Sequence, residues 1–164
     1  MQSNYTHITL VLDRSGSMAS VLNDTIGGFN SFIEEQRKVP GKATFSLLQF
    51  NTEFEYLNRN EDIKKVKLLN IDNYIPSGYT ALLDAVAKAI RETGEDLNKL
   101  SEDNRPAKVL FVIQTDGQEN SSREFTHSKI AEMIKHQNEK YNWQFVFLGA
   151  NQNIIAQASS MGIS

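Results

Sequence analysis

The chain has 164 residues, which is typical of one domain, because two domains of half that length would each bury only a marginal core. Hydrophobic residues make up 40% and charged residues 23%, as in a globular domain rather than a disordered chain. The net charge of −3 argues against binding to the phosphate backbone of nucleic acid. The chain has no cysteine, which excludes disulfides, thiolate metal sites and cysteine nucleophiles.

The N-terminal region carries no targeting signal that we can identify. Its first apolar stretch is short and ends at Asp13, and no basic segment precedes it, so a signal peptide is not expected. No apolar run approaches the roughly 18 residues of a membrane span. We therefore expect a soluble, cytoplasmic protein with no membrane partner.

The first half of the chain predicts a buried strand at 8–12, because its apolar run is rich in β-branched residues. An apolar stripe with helical spacing then predicts a helix from about 20 to 38, which Pro40 ends. A nearly continuous apolar run at 43–50 predicts a second buried strand. Apolar and charged residues alternate over 54–56, which predicts an antiparallel edge strand joined to the second strand by a tight turn.

The second half of the chain predicts alternating helices and strands. A helical stripe begins at 82 and weakens near 94, a buried strand follows at 109–113, and a further stripe around 130–134 predicts another helix. A last strand is predicted at 145–148 and a last short helix over 154–161. Helices between strands imply right-handed crossovers, so we predict one α/β domain over 1–164.

Oxygen-bearing side chains follow the predicted strands, where ligands bind in open parallel sheets. The first junction places three of them at alternate positions, and Gly16 allows the tight loop that turns them toward one centre. A strand-terminal aspartate and a threonine before the helix at 82 add two more. The junctions together supply two carboxylates and three hydroxyls: Asp13, Ser15, Ser17, Thr80 and Asp116.

These side chains form an all-oxygen set, which favours Mg²⁺ and next Mn²⁺ or Ca²⁺. If neutral hydroxyls are the direct ligands, the ion stays electron-poor and favours an external carboxylate at an open position. In the alternative interpretation the hydroxyls only cap helices, Ser17 or Ser20 the first and Thr80 a later one. Their coincidence at three junctions favours the metal site.

The motif Asp13-x-Ser15-x-Ser17, followed by Thr80 and Asp116, resembles the metal-ion-dependent adhesion site (MIDAS) of a von Willebrand factor A (vWA) domain. The resemblance covers nearly the whole chain. It implies a doubly wound, mostly parallel sheet with one antiparallel edge strand and helices on both faces. It also implies that the serines and the threonine contact Mg²⁺ directly or nearly so, that the aspartates act through water, and that an acidic residue of a partner protein completes the shell.

Two features depart from the family's pattern. The residue before the family's threonine is commonly small, and here it is Tyr79, which can crowd the open position or contact the partner itself. The sequence ends at Ser164, about where the family's last strand would start, so that strand is missing or the sequence is truncated. This puts in doubt a shifting C-terminal helix, which some relatives use to signal. Gln118 and Glu119, in a polar loop, are further candidates for partner contact.

Three functions are compatible with these residues. We favour a metal-dependent protein-interaction module that captures a Glu or Asp of its partner, because no general base or nucleophile is evident beside the predicted site. A metal-assisted phosphoester hydrolase would need such a base, and Glu119 is its best candidate. In a third interpretation the metal only stabilises the loops of a scaffold. We expect no enzymatic activity, no nucleic-acid partner, and a monomer or a component of a larger assembly.

Overall fold

The structure is a computed structural model that describes residues 1–116 and 121–148. Short 3₁₀ turns occur at Gly16–Val21, Ile63–Lys65 and Glu102–Asn104. The regular elements of the described ranges are β1 (Gln2–Asp13), α1 (Leu22–Lys38), β2 (Lys42–Phe50), β3 (Phe54–Asp62), α2 (Leu82–Asn98), β4 (Pro106–Gln114), α3 (His127–Tyr141) and β5 (Gln144–Leu148).

The five strands form one sheet in the order β3-β2-β1-β4-β5. All neighbouring pairs are parallel except β2 and β3, which are antiparallel, so β3 is the antiparallel edge strand that the sequence predicts. The predicted α/β fold class is therefore confirmed. The chain goes to one side of β1 for β2 and to the other side for β4, so the strand order reverses at β1.

The hydrophobic core lies in two layers, one on each face of the sheet. Leu10 and Leu12 of β1 pack with Phe29 and Ile33 of α1 on one face. Val11, between them in the strand, packs on the other face with the apolar residues of α2 and α3. This alternation follows from the pleat of a strand, and it explains why β1 reads as a continuous apolar run.

Several element boundaries differ from the predictions. β1 begins at Gln2 rather than at residue 8, because its polar first half still pairs with β2 and β4. Regular α-helix begins only at Leu22, since residues 16–21 form a 3₁₀ turn. α2 continues past Gly94 to Asn98. The helix predicted over 154–161 lies outside the described residues.

A chain of buried polar side chains crosses the amino-terminal half of the sheet. The ring nitrogens of His7 lie 2.8 Å from the hydroxyl of Thr44 and 3.0 Å from that of Thr9. Thr44 also contacts the Tyr5 hydroxyl at 3.0 Å, and Thr9 contacts the Thr93 hydroxyl of α2 at 2.7 Å. These contacts satisfy polar groups that burial would otherwise leave unpaired.

None of the helices in the described ranges is long and apolar enough to cross a bilayer.

Candidate metal centre

Two of the predicted site residues lie where the strand order reverses, the usual ligand position in open α/β sheets. Asp13 ends β1, and Asp116 follows the end of the neighbouring strand β4. The Asp13 carboxylate is held from both sides. Its Oδ1 accepts a hydrogen bond from the Ser15 backbone N–H at 2.8 Å, and its Oδ2 accepts one from the Thr115 hydroxyl at 2.7 Å. The ends of β1 and β4 are thus connected through this carboxylate.

The loop after β1 brings two of the predicted hydroxyls together. The Oγ atoms of Ser15 and Ser17 are 3.3 Å apart, and Ser15 is buried. No serine side chain caps α1, because its N-cap residue is Val21, which makes no side-chain cap bond. The Ser20 hydroxyl instead donates to the carbonyl of Ser17 at 3.0 Å. The alternative interpretation, in which Ser17 or Ser20 caps the first helix, is therefore wrong.

The loop before α2 is joined directly to the loop after β1. The Ser77 N–H donates to the Arg14 carbonyl, and the Gly16 N–H donates to the Gly78 carbonyl, both at 2.8 Å. Gly78 has a φ of +79°, which favours glycine, and a Cβ on Gly16 would lie 3.3 Å from the Gly78 oxygen. These two bonds fix the approach of the segment that carries Thr80.

Thr80 is 1% exposed and is not the cap of α2. The N-cap residue of α2 is Ala81, and no side-chain cap bond comes from it. A capping threonine does occur elsewhere, at Thr126, whose hydroxyl accepts a bond from the Lys129 N–H of α3 at 3.2 Å. The capping interpretation of Thr80 is therefore wrong as well.

Two residues that the sequence analysis did not identify hold these loops in place. The Tyr74 hydroxyl is buried and donates to the Asp13 carbonyl at 2.5 Å. The Asn51 side-chain amide donates to the Ser77 carbonyl at 2.9 Å, and the Asn51 backbone carbonyl accepts the Ala81 N–H at 2.9 Å. A tyrosine and an asparagine in polar loops give no local signal of these contacts, which join segments about 25 to 60 residues apart.

The segment after β4 is attached to the start of α2 through Asp84. The Asp84 carboxylate accepts hydrogen bonds from the backbone N–H groups of residues 123–125 at 2.8 to 3.2 Å. In return the Ser122 hydroxyl accepts the Asp84 N–H at 3.0 Å, and so caps α2 from a distant part of the chain. The Ser121 N–H donates to the Thr80 carbonyl at 2.9 Å. The third loop is thereby fixed beside the other two.

The electrostatics of the site fit a cation. Asp13 and Asp116 are 0% and 6% exposed, and burial raises the pKa of Asp13 to about 6, with a further contribution from the charge of Asp116. Hydrogen bonds from Ser15 and Thr115 lower this pKa in part, whereas no cationic side chain of the described residues contributes. Buried carboxylates are stabilised by pairing or by coordinating a metal. A divalent cation would supply that compensating charge.

The donor chemistry also fits a hard divalent ion. Carboxylate and hydroxyl oxygens are ligands that Mg²⁺, Mn²⁺ and Ca²⁺ accept. Within residues 1–116 and 121–148, no three His, Asp or Glu side chains are grouped so that they could hold a metal. A metal held at this edge by the described residues would thus depend on the hydroxyls of Ser15, Ser17 and Thr80 in addition to the two aspartates. Their role as ligands stays a prediction.

The residues predicted to contact a partner are only partly described. Tyr79 is 71% exposed on the loop next to the buried Thr80, as expected of a residue that can meet another protein. Gln118 and Glu119 lie outside the described residues, as does Gly117. Tyr79 is therefore the predicted partner residue whose exposure can be assessed.

Comparison with known proteins identifies the class of this domain. The von Willebrand factor type A domain family matches residues 7–162, which is most of the chain, so the protein belongs to this family. Such domains are generally protein-interaction modules, often metal-dependent. Among curated protein sequences, none matches the chain significantly.

Solved structures share this fold at low sequence identity. The manganese-loaded TRAP protein of Plasmodium vivax has a TM-score of 0.68 and 17% identity, over 98% of this chain and 64% of that one. Proximal thread matrix protein 1 of the mussel byssus, with a zinc-occupied MIDAS motif, has a TM-score of 0.63 and 13% identity, over 97% and 41%. The ArnB paralog VWA2 of Sulfolobus acidocaldarius has a TM-score of 0.52 and 22% identity, over 98% of this chain and 40% of that one. The chain thus spans less than two thirds of each of these relatives.

Proposed function

We propose that this vWA domain is a metal-dependent protein-interaction module whose ion holds a carboxylate of a partner protein. Asp13, Ser15, Ser17, Thr80 and Asp116 would hold the ion, which we propose to be Mg²⁺. A bound ion of this kind supplies positive charge and an exchangeable position at which an external carboxylate can bind. The cytoplasmic location expected from the sequence is part of this proposal.

One observation carries the proposal: three loops distant in sequence are joined at the point where the strand order reverses. Their backbones are linked by direct hydrogen bonds, and the three loops carry two buried carboxylates, the hydroxyls of Ser15 and Ser17 at 3.3 Å from each other, and the buried Thr80. Helix capping does not explain these hydroxyls. Metal occupancy in two vWA relatives, manganese in one and zinc in the other, gives additional support for a divalent ion.

Thermal unfolding tests the metal site directly. The protein is stripped with EDTA and heated with and without Mg²⁺. An ion at about 100 times its Kd adds about 2.7 kcal/mol to the free energy of unfolding. For a chain of this size, that raises Tm by about 5–10 °C. Ser15→Ala/Ser17→Ala is expected to abolish the increase.

Ser20→Ala is the matched control, because Ser20 lies on the same 3₁₀ turn but is exposed and only donates to a backbone carbonyl. It is expected to keep the full response to Mg²⁺. The metal proposal is wrong if neither Mg²⁺, Mn²⁺ nor Ca²⁺ stabilises the wild-type protein. It is also wrong if the double variant responds as strongly as Ser20→Ala.

Capture of a carboxylate is tested with displayed peptides of seven residues, randomised at all positions except the centre. One library has Glu at the centre, and the other has the isosteric Gln. Selection on the wild-type protein in Mg²⁺ should enrich the Glu library only, and EDTA should remove the enrichment. A metal site that merely stabilises the loops would raise Tm without retaining either library.

A further inference from the structure

A pocket of about 210 Å³ lies at the end of the sheet opposite the proposed metal site. Its lining comes from the last turns of α2 and α3, the first residues of β4, and Trp143, which precedes β5. Asp116 follows the other end of β4, whose nine residues span about 26 Å. This pocket, which we call the α2–α3 pocket, is therefore separate from the residues that would hold the ion.

The inner wall of the α2–α3 pocket is apolar and firmly packed. Trp143 and Val109 are buried, and Leu97 packs against the same core. The Trp143 ring is nearly parallel to the ring of Phe111, with 6.5 Å between their centroids, and the ring of Phe145 lies 6.3 Å from it. Because these neighbours fix the indole, an apolar ligand would find a surface that is already formed.

Small residues leave the α2–α3 pocket empty. Gly94 lies inside α2, although glycine is a poorer helix former than alanine or leucine. A Cβ added to it would meet nothing within 4 Å, so close packing does not require glycine there. Ala107 of β4, which also lines the pocket, is small and exposed. Since an apolar cavity of about 150 Å³ binds benzene, this pocket has room for one aromatic ring with a short substituent.

Arg105 gives the α2–α3 pocket a positive charge. Its Nε donates to the Leu100 carbonyl at 3.0 Å and its Nη2 to the Asn98 carbonyl at 3.4 Å, so the guanidinium is held in place. A guanidinium has five N–H groups, so further donors remain for a ligand. Within residues 1–116 and 121–148, no aspartate or glutamate lines the pocket, and none forms an ion pair with Arg105. These features favour an anion, and a carboxylate matches the geometry of a guanidinium.

We propose that the α2–α3 pocket binds a small aromatic carboxylic acid, with its ring against Trp143 and its carboxylate on Arg105. The volume limits the ligand to about one ring, and the positive charge without a carboxylate partner selects the acid. Phenylacetate is a simple compound of this class. The pocket would give the domain a second binding site, for a small molecule, which does not depend on the proposed metal site.

Trp143 allows a direct test, because it is the only tryptophan of the chain and its indole N–H therefore gives one NMR signal. Titration with phenylacetate should shift this signal until it saturates, with a Kd of about 1 mM or lower. Phenylacetamide, the matched neutral compound, should bind about tenfold or more weakly because it lacks the charge that Arg105 recognises. In Arg105→Gln, phenylacetate should bind no better than the amide.

Gly94→Leu should fill the pocket and abolish binding. Its Tm should be equal to or above that of the wild-type protein, because leucine is the better helix former, so a loss of binding would not result from unfolding. Gly27→Leu is the matched control. Gly27 also lies inside a helix, α1, and a Cβ added to it would also meet nothing within 4 Å, but it does not line the pocket. This variant should bind phenylacetate like the wild-type protein.

The titrations are run in Mg²⁺ and in EDTA and should agree, so that failure of the metal site leaves this test intact. The proposal is overturned if phenylacetate at about 10 mM leaves the Trp143 signal unchanged. It is also overturned if the amide binds the wild-type protein as tightly as the acid, or if Gly94→Leu binds as well as Gly27→Leu.

An acetylated tripeptide that ends in Phe presents a ring and a carboxylate on a longer chain. It should bind more weakly than phenylacetate, because the pocket has room for one ring with a short substituent. Tighter binding of the tripeptide would indicate the C-terminus of a protein as the occupant and would overturn the small-molecule proposal.

Discussion

Mild acid is expected to destabilise the fold through His7, the buried histidine of β1. The His7 ring is 1% exposed, and its nitrogens contact threonine hydroxyls at 2.8 and 3.0 Å. Burial lowers its pKa from 6.5 to about 4, and Asp96 of α2, which is paired with Arg59 of β3, opposes this only in part. Between these pH values the unfolded chain binds a proton that the folded chain does not. The stability that the folded protein gains by keeping His7 neutral is therefore fully present above about pH 6.5 and is lost as the pH falls to 4.

The size of this effect follows from the two pKa values. The difference between 6.5 and about 4 corresponds to about 3 kcal/mol of unfolding free energy. Asp13 acts in the opposite direction in the metal-free protein, because its folded-state pKa is raised to about 6. The quantity to measure is consequently the difference in unfolding free energy between the wild-type protein and His7→Gln, because the contribution of Asp13 cancels in that difference.

Urea unfolding at pH 7, 6, 5 and 4.5 measures this difference. His7→Gln keeps hydrogen-bonding capacity but does not titrate, so its deficit in stability at pH 7 should shrink by up to about 3 kcal/mol toward pH 4.5. An NMR titration of the His7 ring in the folded protein provides an independent check. A deficit that is the same at every pH, or a folded-state pKa near 6.5, would refute the reasoning.

Three further predictions concern the framework of the site. Thr115→Val removes the hydroxyl that donates to Asp13 Oδ2, so urea unfolding should show a loss of about 1–3 kcal/mol, and a mutant as stable as wild type would contradict this. Gly78→Ala forces a side chain at a φ of +79° and places its Cβ 3.2 Å from Asn51 Nδ2; we expect a loss of about 1–3 kcal/mol and a smaller Mg²⁺-induced rise in Tm. Asp84→Ala frees three backbone N–H groups of the segment after β4, and hydrogen exchange at those amides should accelerate while the core of β1 stays protected.

The fold could be predicted because its strands are buried on both faces. β1, β2 and β4 have near-continuous apolar runs, which few other structures require, and the alternation of β3 indicates an edge. Boundaries were harder to predict where pairing continues without burial. β1 starts six residues before its predicted first residue because main-chain hydrogen bonds to its neighbours do not depend on apolar side chains.

The sequence allowed us to predict which side chains belong to the candidate site, but not the contacts that bring their loops together. Asp13, Ser15 and Ser17 form a local motif, and Thr80 and Asp116 follow from their places next to predicted elements. What joins them could not be predicted. The contacts made by Tyr74, Asn51 and Asp84 connect segments that are distant in sequence, and most of their partners are backbone groups. A backbone partner leaves no residue type in the sequence to indicate the contact.

Two kinds of variant distinguish the residues predicted to bind the metal from the residues that hold the loops in place. The hydroxyls of Ser15 and Ser17 lie 3.3 Å apart, and the Ser15 side chain also hydrogen-bonds to the Asp13 carboxylate. Replacing both serines with Ala should remove metal binding at only a small cost to the stability of the metal-free protein, because Asp13 keeps its bonds from the Ser15 backbone N–H and the Thr115 hydroxyl. Replacing Tyr74 with Phe instead leaves the buried Asp13 carbonyl without its donor, and should weaken the fold and the metal response together. A metal response lost without loss of metal-free stability is therefore the result that distinguishes a ligand from a support. If the serine variant is destabilised as much as Tyr74→Phe before any metal is added, the two serines belong to the framework and the proposed ligand set is wrong.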